Sequence, residues 1–229
     1  METIFIYFLK SSGLLALFFI SYHALLRKET FFNSNRWYLL SGLVTSAVLP
    51  LLVYTKLIWI APVTSNFDYS TIPLTTVVEQ KSILDYMPLM ALLIYGLVIT
   101  LLAIKLLYDF HSLKQLLKGK VSRYQADYRL VDTKENLAPF SFFKTIVYNS
   151  ELYNAIELEN ILEHEKAHSD QNHTIDVLIA RVFCIIFWFN PFVWLYKKAI
   201  LQNLEFIADS EATKKLTDKK AYQITLLKI

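Results

Sequence analysis

Three long apolar stretches within the first 107 residues constrain this chain more than any other feature. Residues 4 to 26 (IFIYFLKSSGLLALFFISYHALL), 37 to 60 (WYLLSGLVTSAVLPLLVYTKLIWI) and 88 to 107 (PLMALLIYGLVITLLAIKLL) each reach the roughly 20 residues that cross a bilayer core at ~1.5 Å per residue. Trp37 and Trp59 bracket the second stretch, where amphipathic rings favour the headgroup layer. Hydrophobic residues make up 55% of the 229 and glycine only four, a composition too apolar for an ordinary soluble domain. The first stretch has no basic leader and no small-residue cleavage site, so it is expected to remain as a span and not to be removed as a signal peptide.

Lysine and arginine beside the spans set the orientation. The first connection carries Arg27, Lys28 and Arg36, and the second carries Lys81 among Asp68, Glu79 and Asp85. Beyond the third span come Lys105, Lys114, Lys118, Lys120 and Arg123. The N-terminus is therefore expected outside, and everything from about residue 108 inside. These charges are expected to contact the anionic inner leaflet. A net charge of only +3 without a dense basic block gives no support to direct nucleic-acid binding. With Cys184 as the single cysteine, a disulfide framework and a thiolate zinc site are both excluded, so any metal must be held by His and carboxylate.

After residue 108 the pattern changes. YRLVDT and KTIVYN alternate like short strands, and the Asn136 and Pro139 between them suit a turn, so a β-hairpin is expected. FKTIVYN is the candidate edge on which a substrate strand could dock; a β-pair that merely braces the neighbouring helix is the equal alternative. Asn154 and Glu157 have the spacing of a capping box, placing a helix start just before LEHEKAHSDQ.

That segment contains His-Glu-x-x-His, which a shuffled chain of this composition would supply on the order of four times in a thousand. On a helix, His164 and His168 project from one face and can hold a single ion, while Glu165 sits beside the ion without binding it. Such a glutamate can take a proton from water and hand it to a leaving amine. A catalytic zinc needs a third protein ligand, and the best candidate is Glu205, with Asp209 one turn later to orient a ligand histidine through its free ring nitrogen.

Residues 175 to 200 stand in the way, because a fourth crossing there would strand Glu205 on the far side of the membrane. Arg181 and Asn190-Pro191 interrupt that run, and proline disfavours helix at the residue before it while suiting a helix start. The expectation is a membrane-associated hairpin, with one arm at 175 to 188 and a second from Pro191, that returns Glu205 to the histidines. His173 and Asp176 could help orient a ligand or substrate, although surface positions on a helix end are commoner. His23 and His111 are expected at the interface, and Cys184 is expected to be a buried small hydrophobe.

HEKAH, then FNPFVW, then LEFIAD, with APFSFF upstream, resembles the M56 family of membrane metallopeptidases, BlaR1/MecR1-like and gluzincin in type. The resemblance implies a mainly α membrane protein with three N-terminal transmembrane helices (residues 1 to 110) and a cytoplasmic zincin-like α+β metalloprotease region (111 to 229), with a short β-hairpin and the helical hairpin. It implies Zn2+ held by His164, His168 and Glu205, with Glu165 as catalytic base. It also implies a bacterial inner-membrane protein, active on the cytoplasmic face, that cleaves a protein substrate such as a transcriptional repressor. The amphipathic ending at Ile229 is expected to be a truncation, and a dimer is compatible with the pattern. A quality-control protease of the Ste24/HtpX kind and a non-catalytic membrane sensor or scaffold are the alternatives.

Overall fold

Most described residues of the apolar runs are helical; the computed structural model describes residues 2–52, 58–59, 83–120, 122–125, 127–216 and 218–226. α1 (Glu2–Ser21) continues through one widened turn, Tyr22–Leu26. α2 (Phe32–Val48) tightens into a 3-10 turn at Leu49–Leu51. α3 (Met87–Leu117) runs ten residues past the expected end of its span. Two of the described segments, Thr3–Leu26 and Met87–Leu117, are long and apolar enough to cross a membrane. The expected span at 37 to 60 is helical in its first half and begins five residues early, at Phe32; residues 53–57 and 60, together with Asp68, Glu79 and Lys81, lie outside the described residues. No described residue of α3 is buried, and Leu93, Leu97, Leu101 and Leu107 are all exposed. A helix that presents so many apolar side chains outward is suited to lipid and not to water.

The sheet corrects two expectations. Strands β1 (Ser122–Gln125), β2 (Tyr128–Asp132), β3 (Phe140–Phe142) and β4 (Thr145–Tyr148) are ordered β1-β2-β4-β3. YRLVDT and KTIVYN do not form a hairpin, because β2 and β4 run parallel with Leu130 opposite Ile146. The reason lies in the segment between them, which supplies its own strand. β3 turns tightly back onto β4 through Phe143 and Lys144, and Phe143 takes the positive φ (49°) that primed hairpin turns use. Ser169 donates to the Phe143 carbonyl, and the Phe143 amide donates to Thr174 at 2.9 Å, pinning this turn to the helices below. β4 is therefore interior, and the open edge facing those helices is β3, not FKTIVYN.

The remaining helices are α4 (Ala155–Asp170), α5 (His173–Ile186), α6 (Pro191–Lys215) and α7 (Lys219–Leu226). The break at Asn190-Pro191 folds as the sequence requires: Asn190 caps α6 by accepting from the Phe192 amide at 2.9 Å, with Pro191 in the first turn. α5 and α6 thus form a hairpin whose tip carries Phe187 and Phe189. These rings meet Phe8 of α1 at 5.8 and 5.5 Å between centroids, and the Ile186 carbonyl accepts from Tyr95 of α3 at 3.0 Å.

One buried cluster joins Leu15, Leu39 and Leu43 of α1 and α2 to Cys184, Tyr196 and Leu204 of the hairpin. At its centre the Tyr196 hydroxyl donates to the Leu39 carbonyl at 2.9 Å, over Gly42, where any Cβ would collide with that hydroxyl and press Phe18 at 3.1 Å. Gly42→Ala is therefore expected to lower stability by about 1–3 kcal/mol through overpacking, and to cost much less in a Tyr196→Phe background, where the obstructing oxygen is gone. Thermal melting of the four proteins in one detergent measures this coupling.

Candidate metal centre

The site is assembled on α4. Its first turn is locked by a capping box in which Asn154 Oδ1 accepts from the Glu157 amide at 2.9 Å and Glu157 Oε2 accepts from the Asn154 amide at 3.1 Å. This fixes the helix phase, and the four-residue spacing then stacks His164 over His168, ring centroids 4.8 Å apart. The Nε2 atoms of the two rings face each other at 3.1 Å. Glu205 of α6 points Oε2 between them, 3.3 Å from His164 Nε2 and 3.6 Å from His168 Nε2. The hairpin makes this possible by matching lengths: the fourteen residues of α5 and the stretch from Pro191 to Glu205 each rise about 21 Å at ~1.5 Å per residue.

These three atoms are the ones among the described residues that could jointly hold a metal, and their geometry fits zinc. A triangle with those sides has a circumscribed radius of about 1.9 Å, just under the ~2.0–2.2 Å bonds that zinc makes to imidazole nitrogen and carboxylate oxygen. An ion held there would take His164, His168 and Glu205 as its protein donors. The ionisation of the site fits a cation as well. Burial alone would depress His164, but hydrogen bonds to the Asp209 and Glu205 carboxylates outweigh it and push the ring up to about 9. The same contacts with His164 and His168 hold the Glu205 carboxyl far below the usual carboxylate range.

Around the three donors lies a second layer of contacts. His164 Nδ1 is 2.8 Å from the Tyr222 hydroxyl and 3.1 Å from Asp209 Oδ1, and Tyr222 donates to Asp209 at 2.8 Å. Asp209 thus lies against the ring nitrogen of His164 that faces away from the donor set. Tyr222 was not foreseen: it is buried on α7 and shares a face with Thr225, which accepts from Asn160 of α4 at 3.1 Å. The spacing of Tyr222 and Thr225 was the available signal. His168 Nδ1 meets His173 Nδ1 at 2.9 Å. His173 and Asp176 are 2% and 3% exposed, so the surface reading of these two is corrected; α2 covers them. Burial, His168 and Arg36 together push His173 down to about 3, so it is neutral.

Glu165, 9% exposed, shares with the three donors a cavity of about 460 Å³ that is also lined by Pro139, Phe140 and Ser141 of the β3 edge. Burial raises its carboxyl above the ordinary range, although His168, His164 and the Ser141 hydroxyl work in the other direction. The arrangement thus offers three donors, an open position, a carboxylate able to exchange a proton, and a strand edge alongside.

Comparison with known proteins agrees with this geometry. The family model described as BlaR1 peptidase M56 matches residues 15–229. The regulatory protein BlaR1 of Staphylococcus aureus is 33% identical over 73 residues, which is 32% of this chain and 11% of that relative. The alignment therefore spans a small fraction of the length of the curated protein.

Purified protein is expected to hold about one zinc per chain. Glu205→Ala should abolish tight binding, and Asp209→Ala should weaken it about 10–100-fold, as loss of a partner behind a ligand histidine does. Chelator competition with metal analysis checks both; zinc content unchanged in Glu205→Ala would move the third ligand elsewhere.

Proposed function

The chain belongs to the M56 peptidase family, and from that premise we propose that it is a zinc-dependent membrane endopeptidase cutting a cytoplasmic or membrane-proximal protein. The observation that carries the reading is the convergence of His164, His168 and Glu205 on one point with Glu165 buried in the same cavity. When bound, zinc would polarise the scissile carbonyl and acidify water. Glu165 takes the proton of the attacking water and delivers it to the departing amine nitrogen; its raised carboxyl suits both halves of that exchange. Asp209 and Tyr222 keep the His164 ring aimed. The substrate adds as a strand to β3, where main-chain hydrogen bonds hold it extended past Ser141.

A membrane setting with the site inside is supported by what the elements place together. The first connection, with Arg27, Lys28 and Arg36, lies at the site end of the molecule, where Asn203 donates to the Phe32 carbonyl at 2.9 Å and Arg36 to Gln171. The C-terminal part of α3 reaches the same end through Asp109 and Arg181, paired at 2.9 Å. These basic segments mark the cytoplasmic side. The hairpin tip instead lies beside Phe8 and Tyr95, deep along α1 and α3, so α5 and α6 dip into the bilayer and return. We assign the three spans that the apolar stretches at 4 to 26, 37 to 60 and 88 to 107 set out. The Staphylococcus aureus relative is a regulatory protein, which favours a signalling protease acting on one partner, a repressor being the candidate.

Glu165→Gln is expected to retain zinc while losing cleavage by at least about 100-fold, the lower range for general-base catalysis. Comparing protein N-termini in cells that carry the wild type or this variant reports catalysis and substrate together. N-termini identical in the two would reject the assignment of Glu165.

A further inference from the structure

The end of α2 reaches the metal site through a set of buried polar contacts that the proteolytic chemistry does not use. α4 and α5 meet at an elbow formed by Gln171 and Asn172, with Asn172 in the left-handed region (φ 53°) and making no side-chain cap. His168 lies in the last turn of α4, and His173 is the first residue of α5, so their 2.9 Å contact spans this elbow. Arg36 of α2 grips both sides of it. Its Nη2 donates to the Gln171 carbonyl at 2.8 Å, its Nη1 to Gln171 Oε1 at 3.3 Å, and its Nε to Asp176 Oδ2 of α5 at 2.6 Å. Both ends of the ion pair are largely shielded, with side chains 14% and 5% exposed.

The proton arithmetic gives the contact a direction. A neutral His168 that offers its Nε2 lone pair to an ion must carry its proton on Nδ1, and that N–H needs an acceptor. His173 Nδ1 is the atom in reach, so the His173 proton sits on Nε2, which is buried without a partner among the described residues. His168 Nδ1 therefore donates to His173 Nδ1, and the contact holds only while the elbow keeps the two rings together.

We propose that His173 and Arg36 are positioning residues of the metal centre: His173 fixes the tautomer and ring plane of His168, and Arg36 clamps the elbow that sets their separation. Through Arg36, the placement of the membrane-facing helix α2 is coupled to the quality of the metal site. The proposal rests on the zinc reading above.

The test uses the full chain in detergent and measures zinc affinity by chelator competition, with melting temperature to check the fold. His173→Phe removes the acceptor at similar bulk and is expected to weaken zinc about 10–100-fold. His173→Asn restores a carbonyl acceptor and should recover most of that loss. Arg36→Gln with Asp176→Asn removes both charges without leaving one buried alone. This pair should weaken zinc and shift the visible absorption bands of the cobalt(II)-substituted protein, which report ligand geometry. Added to His173→Phe, the pair should cost little more, because both act through one contact.

If the wild type holds zinc and His173→Phe matches it, the role of His173 is overturned. If the losses add fully in the combined variant, or the cobalt bands stay unmoved, Arg36 does not act through His168. Absence of zinc from the wild type would instead overturn the zinc reading itself.

Discussion

Everything at the metal centre depends on an apolar chain that turns back where it was long enough to continue. Two imidazoles on α4 are not a three-donor set, and the carboxylate that joins them lies beyond a run that could otherwise have been a membrane crossing. The capped break at Asn190-Pro191 removes that alternative. Proline denies a hydrogen bond to a continuous helix and supplies a good first turn for a new one. The two arms are then of matched rise, and Glu205 arrives beside His164 and His168. A residue inserted in one arm and not the other would rotate the carboxylate by about 100° around its helix, away from the two imidazoles.

Most of the polar groups gathered there are taken out of water and find a partner, although His173 Nε2 has none among the described residues. His164 spends one nitrogen on the donor set and the other on Tyr222 and Asp209. His168 does the same with His173. Glu205 is held ionised by the rings it faces, whereas Glu165, adjoining them in a drier position, is driven the other way. Two glutamates of one cavity are thus separated in role by environment: one fixed as an anion, the other able to take up a proton.

Much of this was legible from local pattern. The helix carrying HEKAH, its capping box, the return at the proline and the candidacy of Glu205 and Asp209 follow from spacings within a few turns, which the backbone repeat fixes. What escaped was non-local. Strand direction between YRLVDT and KTIVYN depended on whether the intervening FSF would pair, and a segment of three residues carries too little pattern to say so. His173 and Asp176 looked like surface residues because a polar helix start usually is; only the covering α2, with Arg36, buries them. Tyr222 lies on a helix whose buried face makes sense once α4 is beside it. The parallel pairing and these burials are tertiary facts.

The dependence of His164 on Tyr222 also has a temporal side. A protein emerges from its N-terminus, and domains fold as their parts become available. The histidines of α4 exist as soon as that helix forms, but the hydroxyl that steadies one of them comes 58 residues later, on α7. Until α7 docks, the His164 ring lacks the Tyr222 hydroxyl as a restraint, so a chain still emerging carries the three donors without a settled arrangement. The order of synthesis thus makes the grouping of His164, His168 and Glu205 mature later than the helix that bears its histidines.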